Sequence, residues 1–599
     1  MKLAASAIAR GGRPGQGSRM IRDLSVMIAG IAGDGVLFTG NVLARMLKRH
    51  GWEIVTSRDF PSNIRGEPTR YTVRASLNEN YALSDLVNIL LAFDCDAVLD
   101  NLPLMAANGI VFCDGEAVVE PPADQARGKT FHKFPLRAMA REKFGNEIFK
   151  NMIALGALNF LLDLEIDLLE EIISEMFLKR KGVEVVKKNI QAVAYGYDKA
   201  REITLERERH PLARKEDADR LLLSGDEAIA FGALAAGCRF FAAYPICPAS
   251  EISQWLVHYL PQFNGIVIQA EDELAALNMA LGAAYAGARA MTATSGPGAS
   301  LMMEAFSLAG MAEIPVVIAH VQRLGPATGI PTKTQQGDIL QWVFGSHGEF
   351  PRIVLAPGTL GECFGLTAQA FNLAEKYQCP VVLLTELDMG QDYRTTSRFD
   401  LGRVRIDRGK LLTQEELLAV RSFKRYELSF DGISPRGLPS FKKGLHLVES
   451  LEHDENGYRA EDDANRIRMM EKRMKKLRNA SSDLPCAKAW GPKKAGVGLI
   501  TIGSTLGTVL EAAAQLREKD IQANSLQLRT LWPFPVRDVK KFLDGCDLAF
   551  VVENNYSGEL ATLIRSQVSS IPEMKSILRY GTRSFRPREV VEHVERAVR

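Results

Sequence analysis

The spacing of apolar residues divides the chain into stretches with different periods. From Leu24, the run LSVMIAGIAGDGVLFTGNVLARMLKRHGWEIV predicts a strand, a glycine-rich turn, a helix and a second strand. The apolar runs VNILLAF and GIVFC follow, and two helical segments, NMIALGALNFLLDL and VEVVKKNIQAVAYGYDKARE, close this first α/β stretch. A charged connector, LERERHPLARKEDADR, interrupts the pattern. Beyond it, Ser224 with Glu227 three residues on predicts a capping box. Helices then alternate with the short apolar runs CRFFAAY, GIVIQA, RAMTATS, IPVVIAHV and CPVVLLTEL, an order that predicts a parallel sheet covered by helices. Residues 389–485 lose the alternation and keep one amphipathic helix around NRIRMMEKRMKKLRN, whose expected apolar stripe is Ile467, Met470, Met474 and Leu477. From about Ala495, the runs GVGLITIGS, QANSLQLRT and LAFVVEN predict a second small α/β domain.

Length and charge narrow the function classes. At 599 residues the chain exceeds one core, so three or more domains are expected. Lys and Arg number 74 against 72 Asp and Glu, which gives no global basic surface for nucleic acid. No apolar run is long and pure enough for a membrane helix. Residues 1–20 are basic and glycine-rich, with an apolar part too short for a signal peptide, and are expected to form a disordered leader. None of the eight cysteines forms a CxxC pair, so no iron–sulfur cluster or structural zinc is expected on this chain alone. Their scatter suits a reducing compartment, the cytoplasm.

Four stretches carry candidate chemistry. GIAGDGV, Gly30 to Val36, lies between a strand and a helix, where glycines let a backbone approach a phosphate, although Asp34 would repel an anion. A tight structural turn fits the same glycines. So does a metal–diphosphate motif, in which Gly33-Asp34-Gly35 would need Asn63 as its downstream partner. YPICPAS, residues 244–250, follows a strand at the end where open α/β sheets bind ligands, and its two prolines stiffen the turn around Ile246 and Cys247. In the third stretch, Glu271, Asp272 and Glu273 open a helix of small residues that includes Ala275, Ala276, Gly282, Ala283 and Ala284. Helix capping accounts for one or two of these acids; the small face allows close approach of a backbone, another subunit or a flat ligand. Finally, HVQRLGPATGIPTKTQQGD, residues 320–338, offers Arg323, Thr328, Thr332, Lys333 and Gln336 in a loop suited to an anion.

Taken together, YPICPAS, EDELAALNMALGAAYAGARAMTATSGPGAS, QRLGPATGIPTKTQQGD, FDGISPRGLP, EHDENG, LWPFP and VVENNYSGEL closely resemble the α subunit of 2-oxoacid:ferredoxin oxidoreductases, nearest to the 2-oxoglutarate type. GIAGDGV and IRGEPTRYTVRAS resemble the γ domain of the same enzymes, here fused ahead of α. The resemblance implies an α/β protein with a leader over 1–20, a γ domain over 21–206, a linker over 207–222 and a parallel-sheet domain for the pyrimidine half of thiamine diphosphate over 223–394. A charged connecting segment over 395–490 and a transketolase-C-like α/β domain over 491–599 complete it. It implies thiamine diphosphate shared with a β subunit that carries Mg²⁺ and a [4Fe–4S] cluster, coenzyme A as co-substrate, ferredoxin as electron partner, and a dimer of αβ heterodimers.

By the same resemblance, Glu273 is the catalytic carboxylate facing the aminopyrimidine ring, where it favours the tautomer that removes the thiazolium C2 proton. Tyr244, Pro245, Ile246, Cys247, Ser295 and Gly296 would line the cofactor, and Cys247, Arg323 and Thr332 the substrate. Cys247 stands where the family carries Thr, and a thiol is the weaker hydrogen-bond donor. The family more often carries Gly-Gly-Gln-Gly where this chain has Gly-Asp-Gly, which weakens a coenzyme A role for the first segment.

Overall fold

The computed structural model describes residues 21–62, 66–115, 122–204, 208–213, 215, 219–569 and 571–598. The expected leader and Asn63 lie outside the described residues. The described residues form two compact units: one holds those up to Ile54 with Pro68–Glu79 and Leu86–Ala218, the other Val55–Glu67, Asn80–Asp85 and Asp219–Arg599.

In the first unit the strands lie in the order Thr130–Lys133, Met105–Cys113, Val87–Ala92, Asp23–Ile31 and Pro68–Ser76. The first four neighbours are parallel. Pro68–Ser76 runs antiparallel to Asp23–Ile31, in register from Asp23 opposite Ser76 to Ile31 opposite Pro68. No apolar run announces this last strand, because Arg70 and Arg74 break its sequence while its inward residues Tyr71, Val73 and Ala75 are fully buried. The Lys150–Leu162 helix is buried almost throughout and crosses the Val183–Ile203 helix closely. A Cβ on Gly156 would come within 2.0 Å of Val193 O, and one on Gly196 within 2.0 Å of Ile153 O, so both positions need glycine.

The second unit is built on a seven-stranded sheet. Its order is Thr530–Trp532, Ile353–Leu355, Pro380–Glu386, Val316–Gln322, Ala290–Thr294, Phe240–Ala243 and Ile266–Gln269. Every pair is parallel except the outermost, where Thr530–Trp532 returns antiparallel from the C-terminal region, so the sheet is mixed rather than wholly parallel. Val316–Gln322 and Pro380–Glu386 are buried at every position, as strands covered on both faces must be. The Gly225–Ala235, Ser250–Tyr259 and Leu360–Tyr377 helices build one apolar layer, and the Glu273–Tyr285 and Gly296–Met311 helices the other. Ser224 and Glu227 form the capping box expected of them. A five-stranded sheet, in the order Lys488–Trp490, Ala523–Gln527, Ala495–Thr501, Cys546–Glu553 and Glu573–Leu578, completes the unit.

The connecting segment departs from expectation. Its helix spans Asp463–Lys475, but Ile467 and Met474 face solvent. The buried positions are Asn465, Met469, Lys472 and Arg473, followed by Lys476. Charge decides the face: Lys472 and Lys476 reach Glu313, and Arg473 reaches Glu452. A fully buried carboxylate without those cations would be far costlier than two exposed apolar side chains. Among the described residues, no helix is long and apolar enough to cross a membrane.

Candidate active site

Four adjacent strands deliver the candidate residues to one edge of the seven-stranded sheet. Their C-terminal ends carry, in turn, the Tyr244–Ser250 turn, Glu273, Ser295–Gly298 and Arg323, the position where parallel α/β sheets bind ligands.

Glu273 is the first residue of its helix. Asp272 caps that helix, its carboxylate accepting from Ala275 N at 2.7 Å, and Glu271 is exposed. The three acids are thus one solvated, one capping and one buried, and Glu273 is only 4% exposed. Burial pushes its carboxyl above the ordinary range, and the Asp272 charge adds to this, while Arg323 pulls the other way. Its carboxylate fits a notch in the next helix: a Cβ on Gly298 would stand 2.4 Å from Glu273 Oε1. The Ser-Gly-Pro-Gly turn therefore supplies the space that keeps this acid in place. Ser295 Oγ is buried without a hydrogen-bond partner, and Gly296 faces the carboxylate of Asp338.

Arg323 is buried and donates through Nη1 to Cys247 O at 2.7 Å, while its Nε has no partner. Cys247 Sγ lies 3.4 Å from Pro331 O, next to Thr332, whose buried Oγ1 is also unpartnered. Burial pushes the Cys247 thiol up, so it is a poor nucleophile. Tyr244 and Pro245 are exposed and Ile246 half-buried. Arg323, Cys247, Thr332 and Glu273 thus gather at one place.

The other loop candidates do different work. Thr328 faces solvent, and Lys333 pairs with Asp59. Gln336 is fully buried and locks the loop to the C-terminal region: its N donates to Asn554 O at 2.8 Å, its Oε1 accepts from Asn554 N at 3.0 Å, and its Nε2 donates to Ile502 O at 3.2 Å. Two further residues carry no local signal in the sequence. Asp338 takes a hydrogen bond from His320 Nε2 at 2.8 Å and anchors the loop beside Gly296. Arg58 binds Glu251 at 3.2 Å and donates its backbone N to Asp392 Oδ1 at 2.9 Å, behind the YPICPAS turn. His320 was hidden inside an apolar strand, and Arg58 lies almost 200 residues upstream of its partner.

In the first unit, Asp34 does not stand as a free negative charge. It pairs with Lys150 at 2.6 Å and Arg137 at 2.8 Å, and these cations hold its carboxyl below the ordinary value despite burial. The expected repulsion of an anion by Asp34 is therefore largely cancelled. No group of three or more His, Cys, Asp or Glu able to hold a metal exists among the described residues.

Three family models define the class. Residues 231–473 match the thiamine diphosphate-binding model of pyruvate flavodoxin/ferredoxin oxidoreductases, residues 25–199 the pyruvate ferredoxin/flavodoxin oxidoreductase model, and residues 495–590 core domain II of pyruvate:ferredoxin oxidoreductase. The chain is an oxidoreductase subunit with a thiamine diphosphate-binding domain. It is 33% identical to 2-oxoacid:ferredoxin oxidoreductase 2 subunit alpha of Aeropyrum pernix, over 96% of this chain and 97% of that one. It is 34% identical to the 2-oxoglutarate synthase subunit KorA of Methanothermobacter thermautotrophicus, over 63% of this chain and 98% of that one. A solved 2-oxoglutarate:ferredoxin oxidoreductase from Magnetococcus marinus, with 2-oxoglutarate, coenzyme A and succinyl-CoA bound, superposes with a TM-score of 0.90 at 33% identity, covering 97% of this chain and 100% of that one. The chain belongs to the 2-oxoacid:ferredoxin oxidoreductase family, as an α subunit.

Proposed function

We propose that this chain, with a γ domain fused ahead of α, is half of an enzyme that oxidatively decarboxylates 2-oxoglutarate to succinyl-CoA and reduces ferredoxin, or runs the reverse carboxylation. The observation that carries the reading is Glu273: a carboxylate 4% exposed, seated in the Gly298 notch, with no ion pair among the described residues. A buried acid of raised pKa suits a group that shares a proton with a bound heterocycle. Thiamine diphosphate, when bound, supplies the electron sink for loss of CO₂.

The chain's own residues act around that cofactor. Glu273 would hold a proton between its carboxylate and a ring nitrogen. Ser295 Oγ, buried without a partner, and Gly296 would line the ring's edge. Arg323, with Nε unpaired, and Thr332, with Oγ1 unpaired, would take the substrate carboxylate, and Cys247 would face the reacting carbon. Substrate, Mg²⁺ and diphosphate need a second wall. Leu274, Met279, Leu301 and Tyr244 stay exposed on the turn and helices that carry the site, which supports a β-type partner carrying the metal, the diphosphate site and a [4Fe–4S] cluster, in a dimer of αβ heterodimers. Coenzyme A would be the acyl acceptor and ferredoxin the electron acceptor. Eight unpaired thiols favour a cytoplasmic assembly.

The favoured substrate rests on the similarity to the Magnetococcus marinus enzyme and to KorA. Co-expression with a β-type chain, followed by CoA-dependent viologen reduction across 2-oxoglutarate, pyruvate, branched-chain and aryl 2-oxoacids, tests it. 2-Oxoglutarate is expected to give the highest kcat/KM. A higher value for pyruvate or a branched-chain acid would replace the substrate while keeping the reaction. No turnover with any 2-oxoacid would favour a binding protein that kept the fold.

A further inference from the structure

The connecting segment and the helices beneath it bury more positive charge than their carboxylates balance. Six buried cations converge there: Arg289, Arg425, Arg436, Lys472, Arg473 and Lys476. Three carboxylates answer them. Glu375 takes Arg289 at 2.8 Å and Arg436 at 2.6 Å, with the more exposed Arg408 as a third partner at 2.7 Å. Glu313 takes Lys472 at 2.6 Å and Lys476 at 2.5 Å. Glu452 takes Arg473 at 2.7 Å.

Arg425 makes its hydrogen bonds to neutral groups, Gln378 Oε1 at 2.9 Å and Glu313 O at 2.7 Å, and shares the nearby Glu313 carboxylate with Lys472 and Lys476. Arg436, 5% exposed, keeps a buried Nε with no partner. Neighbouring groups register the excess. Burial pushes Lys472 down to about 7 against the pull of Glu313, and Lys476 and Arg425 add to the fall. His446 is pushed down to about 4 by burial and by Arg425 and Arg436. Its Nδ1 lies 2.8 Å from Gly444 O, which suits the neutral ring. An uncompensated charge in such surroundings is strongly destabilising.

A small cavity opens where Arg425 and Arg436 meet. His446, Tyr285 and the apolar Ala284 and Val448 complete much of its wall. Glu313 also lines it, but both its oxygens are engaged by the two lysines. The space suits a single atom-sized body, a water or a monatomic ion, and is too small for a phosphate or a carboxylic acid. We propose that this cavity binds a monovalent halide, chloride in the cell, between Arg425 and Arg436. The ion would supply the missing negative charge and fasten the connecting segment to the Gly296–Met311 helix end.

Bromide is the probe. Crystals of the full chain grown in sodium gluconate and transferred to sodium bromide are expected to show an anomalous peak between the two guanidinium groups. In solution, replacing gluconate by chloride at constant ionic strength is expected to raise the unfolding midpoint in a saturable way, on the order of 2 °C. Arg436→Gln should remove both effects. Should that variant fail to fold, the wild-type bromide map decides alone. A cavity holding only water at saturating bromide overturns the proposal, as does a peak of undiminished height in Arg436→Gln.

Discussion

Glu273 and Glu313 are two buried glutamates on adjoining helical elements, and the protein treats them in opposite ways. Glu273 opens a helix, has no cation bonded to it, and is pushed above the ordinary carboxylate range by burial. Glu313 follows the end of the Gly296–Met311 helix, is fully buried, and is driven far below that range because Lys472, Lys476 and Arg425 outweigh the same burial penalty. Glu313 holds the left-handed backbone, φ 55°, of an ordinary helix C-terminal cap, where Ile314 N donates to Ala309 O at 2.9 Å. The difference teaches how to read a buried acid. One that is saturated by cations is a structural rivet. One left without them, in a notch shaped by a neighbouring glycine, is available for chemistry.

Exchanging each acid for its amide separates the two roles. Glu273→Gln in the assembled enzyme is expected to lower kcat about 10²–10⁴-fold. Its thermal midpoint should match or exceed wild type, because the charge removed is one the fold does not pair. Wild-type turnover in that variant would reject the catalytic assignment. Glu313→Gln should do the reverse, losing about 3–5 kcal/mol in denaturant unfolding because it strands two buried ammonium groups. A loss below 1 kcal/mol would show that the cations are neutralised in another way.

Gly298→Ala sharpens the contrast more gently. The added methyl would meet Thr294 Oγ1 at 2.2 Å and Glu273 Oε1 at 2.4 Å and push both aside, so a drop in kcat should accompany about 1–3 kcal/mol of destabilisation from overpacking. Stability loss with unchanged kcat would dissociate the notch from the chemistry.

The smallest effect concerns a third buried acid. Glu386, at the end of the Pro380–Glu386 strand, accepts from Ser504 N and is pushed up to about 7 by burial. Its raised folded-state pKa contributes stability that is complete below the ordinary value of 4.5 and fades as pH climbs through about 7. Glu386→Gln has no proton to lose there. Its stability relative to wild type should therefore rise between pH 5 and pH 8, by on the order of 1 kcal/mol. A flat difference across that window would place the titration elsewhere.

Much of this was legible in the sequence, and the gaps have physical causes. The buried parallel strands announce themselves because they are apolar over most of their length, and the Glu271–Glu273 cluster stands out because acids rarely precede so small-faced a helix. Glu313 was invisible: it sits in an ordinary turn, and its lysines arrive some 160 residues later. The Asp463–Lys475 helix misled for the same reason. Periodicity counts apolar residues, but Ile467 and Met474 lost the buried side to Lys472, Arg473 and Lys476, whose partners no local pattern reveals. The Pro68–Ser76 strand was missed because two arginines interrupt it. Asp338 ends a polar loop with no local signal of its own, because the His320 that holds it lies inside the preceding apolar strand.

That inverted helix also decides what happens when the region breathes. An ordinary amphipathic helix that detaches uncovers an oily flank, and such flanks glue partly opened molecules together. This one would uncover ammonium and guanidinium groups that water receives readily and that repel their copies on other molecules. Transient loosening near residue 470 should therefore end in re-docking rather than in precipitation.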